Sequence, residues 1–191
     1  MSGGYFSDAG LFLLDTVLGF YTLIVLLRLL FQLTQADFYN PISQFIVKIS
    51  NPPIVHLRRF IPRFWGIDFA AVVLLIILEG TRIGITALLM GHTANFSGIL
   101  VLSIAELLKL SVYVMVFSIF IRAILSWVST GGHHPIQQLL YSLTEPFLAL
   151  ARRVLPATSG LDLSPIVVFI VLMLVLKLLV RPLLDLGRIM L

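Results

Sequence analysis

The chain has 191 residues, 59% of them hydrophobic and 12% charged, with a mean hydropathy of +1.07 and no cysteine. An average globular chain is about half apolar and roughly a quarter charged. The composition therefore points to a bilayer as solvent, and the absence of cysteine excludes a disulfide framework, a thiolate metal site and covalent haem attachment. The net charge of +4 is no nucleic-acid signature, because the basic residues cluster beside apolar segments, where membrane topology puts them.

Residues 1–10 carry no Lys or Arg and one acid, Asp8. They lack the basic start of a secretory signal, so the first apolar segment is expected to remain in the protein. Transmembrane helices are predicted over residues 11–33, 69–90, 99–127 and 165–184. At about 1.5 Å per residue, each crosses a hydrocarbon core of about 30 Å. The connection between spans one and two holds Lys48, Arg58, Arg59 and Arg63. That between spans three and four holds Arg152 and Arg153, and beyond the fourth span only Arg188 is clear of the membrane, with Arg181 nearer to it. The positive-inside rule then predicts both long connections in the cytoplasm and both termini outside it.

A fixed offset of 94 residues superposes the second half on the first without a gap. Arg28 falls on Arg122, Pro41 on Pro135, Ile42 on Ile136, Gln44 on Gln138 and Pro52 on Pro146. The same offset carries Arg58 and Arg59 onto Arg152 and Arg153, Pro62 onto Pro156, Gly66 onto Gly160 and Asp68 onto Asp162. The chain reads as two tandem units, 1–97 and 98–191. Each has an even number of spans, so both share one orientation and are related by an axis near the membrane normal, as a pseudo-two-fold. The expected fold is an all-α membrane protein of four transmembrane helices in two parallel repeats.

Each connection follows one plan. Ile42, Phe45, Ile46 and Ile49, and again Ile136, Leu139, Leu140 and Leu143, make an apolar helical stripe. Ser43, Gln44 and Lys48, or Gln137, Gln138 and Ser142, form the polar face. These short amphipathic helices are expected in the membrane interface. Pro41 and Pro135 suit the first turn, and Pro52 and Pro146 are expected to end or kink them. Asp68 and Asp162 are placed to accept hydrogen bonds from the free N–H groups that open spans two and four, with Ser164-Pro165 a second candidate start for span four.

The second unit contains Arg122-x-x-Leu125-Ser126-Trp127, Thr144-Glu145-Pro146, Arg152-Arg153, Pro156 and Gly160-x-Asp162-x-Ser164-Pro165. On these residues the chain resembles the YggT family of small membrane proteins, over nearly its whole length. The first unit is a degenerate copy. It has Ser50-Asn51-Pro52 for Thr-Glu-Pro and Asp68-Phe69-Ala70-Ala71 for Asp-x-Ser-Pro. Two departures lie in the second unit: His134 precedes Pro135 where Asn is commoner, and Leu150 stands where a proline often precedes the arginines. The resemblance implies a multi-pass protein of a bacterial inner membrane. It also implies a role in membrane assembly or in tolerance of osmotic or ionic stress, with no reaction shared among relatives.

Charged residues inside the spans are the sharpest feature: Asp15, Glu79, Arg82, Glu106, Lys109 and Lys177. A charge at a helix centre costs roughly 2.5–3.5 kcal/mol on insertion scales, so lipid-facing positions are disfavoured. Glu79–Arg82 and Glu106–Lys109 are i, i+3 pairs on one helix face. The set reads either as a closed salt-bridge network or as an ion or proton path. Arg28 and Arg122 either snorkel to headgroups or tie a span to its following interfacial helix. Arg58, Arg59, Arg152 and Arg153 read as topology signals and contacts to anionic lipid. Gly80-x-x-x-Gly84 with Ala87 offers a close-packing face for the other repeat or for another copy. His133-His134 lacks the companions of a metal site, and Glu145 has no nucleophile beside it. No Walker, Rossmann or His-Glu-x-x-His motif is present. The expectation is no enzyme, no cofactor, no metal and no nucleic-acid partner. A scaffold or assembly factor is expected, with a small transporter or channel as the alternative; an anionic lipid surface and a membrane-protein partner or self-association are the expected contacts.

Overall fold

The computed structural model describes residues 3–62, 66–91, 95–128, 134–154 and 162–191. Arg63, His133, Pro156, Gly160 and the side chain of Trp127 lie outside the described residues. The described secondary structure is helical: α1 (Gly3–Leu33), α2 (Pro41–Leu57), α3 (Phe69–Leu89), α4 (Phe96–Val128), α5 (Pro135–Val154) and α6 (Ser164–Val175). A π-helical turn (Leu176–Val180) then leads into α7 (Arg181–Met190). Four helical stretches are long and apolar enough to cross a membrane: Asp8–Leu33, Phe69–Leu89, Phe96–Ser126 and Ser164–Met190. The protein is a multi-pass membrane protein. The first, third and fourth helices run further than the apolar runs alone indicated, because end residues of low hydropathy, such as Asp8 and Arg188, continue the same backbone hydrogen bonding.

α2 and α5 lie at one end of the bundle, here the motif side, and the α3–α4 turn and both chain ends lie at the other, the terminus side. Neither α2 nor α5 ends at its proline: the first passes through Pro52 and Pro53 to Leu57, the second through Pro146 to Val154. Each proline removes an N–H, and other donors make good part of the loss. Tyr21 Oη donates at 3.4 Å to the carbonyl of Ile49, which Pro53 leaves without its usual helical partner. Asn40 caps α2, accepting from the Ile42 N–H at 3.0 Å, and its Nδ2 donates to the Pro135 carbonyl at 2.7 Å. One side chain thereby joins the starts of the two interfacial helices.

The buried stripe of α2 is Ser43, Ile46, Ser50 and Ile54, not the stripe expected from hydropathy. Ser43 is buried and Phe45 is exposed. The helix is rotated so that its small hydroxyls fit close to the spans, while Phe45 takes the outer position, where aromatic rings suit the bilayer interface. In α5 the expected Leu139, Leu140 and Leu143 are buried and Ile136 is exposed.

The largest apolar cluster joins the two units: Ile24, Phe31 and Ile46 of the first meet Val112, Met115, Ile119, Leu139 and Leu143 of the second. A second cluster seals α1 against α3 through Val25, Leu26, Leu74 and Leu75. The Gly80–Gly84 face is used inside the chain. A Cβ at Gly80 would stand 3.4 Å from Ile99 Cγ2 and Ser103 Oγ on α4. α7 packs as closely on α4, since a Cβ at Gly187 would meet Leu102 at 2.7 Å. The units are parallel, but their packing is not a closed two-fold. α3 lies against α4, whereas α1 has no comparable contact with α6, the π turn or α7. The short α3–α4 turn, in which Gly91 takes φ 77°, fixes one contact that has no counterpart.

Candidate functional site

The motif residues gather into two equivalent clusters on the motif side. In the second unit, Arg122 comes from the last turns of α4, Thr144 and Glu145 from the middle of α5, Arg152 from its end, and Asp162 from the entry to α6. Arg122 Nη1 donates to Thr144 Oγ1 at 2.7 Å and Nη2 to Glu145 Oε2 at 2.8 Å. Arg152 donates to the other oxygen of Glu145 and, at 3.2 Å, to Asp162 Oδ2. Asp162 Oδ1 accepts from the Ser164 N–H at 2.9 Å, closing the turn just before α6, whose N-terminal cap position is held by Leu163. Hydrogen bonding from Ser164, with the Arg152 guanidinium behind it, holds the Asp162 carboxyl below its ordinary value. The Arg122 guanidinium also lies 4.5 Å from the centre of the Tyr141 ring, a cation–π contact.

The first unit builds the same cluster from the positions 94 residues earlier. Arg28 Nη1 donates to Ser50 Oγ at 3.0 Å and to Asn51 Oδ1 at 3.4 Å, and Arg28 stands 3.9 Å from Asp68. Arg58 grips both oxygens of Asp68, from Nε at 3.3 Å and from Nη2. Asp68 holds the N-terminal position of α3 with its carboxylate turned to these arginines. Gly66 precedes it at φ 79°, a backbone state that suits glycine. Asn51 replaces the carboxylate of Glu145, so this cluster sets two guanidiniums against one acid, where the second unit balances two with two. The first cluster is also the drier one: Arg28 is 6% exposed and Asp68 fully buried.

The arginine pairs divide in the same way in both units. Arg58 and Arg152 turn inward to the carboxylates, whereas Arg59 and Arg153 are exposed and make no ion pair among the described residues. Hydropathy gave no means of telling the two members of a pair apart. Pro52 and Pro146 sit beside the clusters inside their helices, Ser126 is exposed near the end of α4, and Pro62 and Pro165 flank the entries to α3 and α6.

On the terminus side, Arg82 of α3 donates to Glu79 on its own helix and at 3.3 Å to Asp15 of α1, and Lys109 donates to Glu106 at 2.8 Å on α4. Glu79, Arg82, Glu106, Lys109, Thr22 and Tyr113 line one cavity of about 180 Å³. A second, of about 270 Å³, is bordered by Asp15, Arg82, Glu106 and Arg188. Thr22, which sequence reading passed over as one more span residue, is buried with no hydrogen-bond partner for its hydroxyl among the described residues. Lys177 does not join this group. It projects, exposed, from the π-helical turn, and no described carboxylate pairs with it. Its position inside a span put it with the network, but its side chain is exposed while Leu176 and Val180 of the same turn face inward.

The family model described as CCB3/YggT matches the chain twice, over residues 7–89 and 101–183. The chain belongs to the CCB3/YggT family. Its two matched segments keep the 94-residue offset that aligns the paired clusters. This YggT-family chain is 42% identical over 171 residues to an uncharacterised protein of Pseudomonas aeruginosa, covering 88% of this chain and 87% of that one. It is 38% identical over 162 residues to the uncharacterised protein YggT of Escherichia coli K12, covering 84% of each. No solved structure matches it.

Proposed function

We propose that this YggT-family protein is a non-catalytic membrane scaffold, an assembly or stress-homeostasis factor of a bacterial inner membrane, working without a cofactor. Both termini would lie outside the cytoplasm and the motif side within it. The observation that carries this reading is that the motif's charged groups bond to one another within each unit, bracing an interfacial helix against its two spans. A rigid platform results. Arg59 and Arg153, exposed and without an ion pair among the described residues, stand on its rim to meet anionic headgroups, and the exposed faces of α2 and α5 remain for a membrane-protein partner. Between this platform and the charges of the terminus side lies the apolar cluster of Ile24, Val112, Met115 and Ile119, which supports a bundle without a through-path.

A transporter or channel of ion balance is the second reading. It is favoured by the two cavities that share Arg82 and Glu106 on their borders, and by the Thr22 hydroxyl, which has no hydrogen-bond partner among the described residues. One variant pair separates the two. Removing one partner of a buried ion pair costs about 3–5 kcal/mol, less where, as here, both partners are partly exposed. Glu106→Gln should lower the thermal midpoint in detergent, and Glu106→Gln with Lys109→Met should largely restore it. Under the scaffold reading, growth under osmotic stress follows stability in both variants. A stable double variant that fails in cells and abolishes ion flux in proteoliposomes would replace the scaffold reading with transport.

A further inference from the structure

Within the chain, the second span of unit one meets the first span of unit two. Gly80 of α3 lies against Ile99 and Ser103 of α4, and Ile83 packs on the cluster that holds Leu102 and Ala105. A closed pair would return this contact between the last span and α1, and it is not returned. The contact is thus head-to-tail, and such contacts leave one face of each kind unused.

The 94-residue offset locates both unused faces. Gly80, Ile83 and Gly84 correspond to Leu174, Lys177 and Leu178; Ile99, Leu102 and Ser103 correspond to Tyr5, Asp8 and Ala9. All six are exposed, Tyr5 at 83% and Leu178 at 74%. The last span is also the least covered: 11% of it is buried, against 22–28% of the other three. Ile83 and Leu102 are neighbours inside the chain. Their equivalents, Lys177 and Asp8, carry opposite charges, and neither has an ion pair among the described residues. A lysine left in hydrocarbon is costly, and a carboxylate at the same depth neutralises both.

We propose that a second copy of this chain docks head-to-tail, its α1 lying along the α6–α7 face of the first, with Lys177 of one copy paired to Asp8 of the other. The new contact repeats the register of α3 on α4 at a wider spacing, because Leu174 and Leu178 replace two glycines. Ala9, in place of Ser103, makes room opposite Leu174. This association is independent of whether the platform recruits partners.

The chain lacks cysteine, so cross-linking has no background. Differently tagged Ala9→Cys and Leu174→Cys chains, co-expressed and oxidised in native membranes, should give a dimer holding one tag of each kind. Neither variant should give a dimer alone. Asp8→Lys or Lys177→Asp should each reduce the mixed dimer several-fold, and the two together in both chains should restore it. Dimers of Leu174→Cys alone would show a face-to-face contact and overturn the proposal. No mixed dimer from chains that melt like the parent would mean that lipid alone covers the face, and would overturn it equally. Failure of the double reversal to restore the dimer would remove the Lys177–Asp8 pair.

Discussion

Glu145 bridges Arg122 and Arg152, whereas Asn51 at the equivalent place accepts from Arg28. Glu145→Gln would leave two guanidiniums facing Asp162 alone, in a site 23–33% exposed at Glu145, Arg122 and Arg152. Between the cost of a surface pair and that of a buried one, this implies a loss of about 1–2 kcal/mol, read as a lower thermal midpoint in detergent. Asn51→Ala should cost less, because Asp68 continues to hold Arg58. At this scale the sequence was partly legible. Identities at one offset exposed Arg28, Arg58, Asp68 and their partners, because each had survived as the same residue in both units. Ser50 and Thr144 differ by a methyl group and were read as degeneracy, although both hold the arginine by the same hydroxyl. Lys177 was not legible, because position within a span does not say which helix face presents the side chain.

The interfacial helices carry the clearest element-scale prediction. Asn40 is at once the cap of α2 and the donor to Pro135, so Asn40→Ala removes a cap worth about 1 kcal/mol and the tie between the two helices. Amide exchange should rise at the first turns of both α2 and α5, with α1 and α4 unaffected; a rise confined to α2 would deny the tie. The amphipathic period foretold both helices and their proline starts. It did not foretell the rotation of α2, because hydropathy ranks Phe45 above Ser43 whereas the span surface admits only the smaller side chain. It left open whether Pro52 and Pro146 end or kink their helices; both helices pass through, and the donors that replace the lost N–H groups, such as Tyr21, are distant in sequence.

For the whole molecule, four spans and their duplication were legible from apolar run length and from a single offset. The parallel relation followed from the even number of spans per unit. The open packing was not legible, because it depends on which faces are small enough to approach: Gly80 and Gly84 in one unit, Leu174 and Leu178 in the other. The excess of Lys and Arg on the connections implies termini outside and motif side inside. A cysteine at Asn95 should therefore react with an impermeant reagent in intact spheroplasts, and one at Gln137 only after lysis. The opposite pattern would invert the orientation and place the arginine rim outside the cell.

The hydroxyls of Ser50 and Thr144 each do two things at once. Each gives its proton to the carbonyl four residues earlier, Ile46 or Leu140, at 2.7 Å, and offers its lone pairs to an arginine. Alanine keeps the helix but loses both bonds, asparagine is too long for a fully buried position, and glycine loses both bonds and weakens the helix as well. Only two of the twenty amino acids combine a short side chain with a proton to give and a strong acceptor to offer, and each copy has one of them. The two copies therefore differ at this position by one methyl group and keep the same pair of bonds.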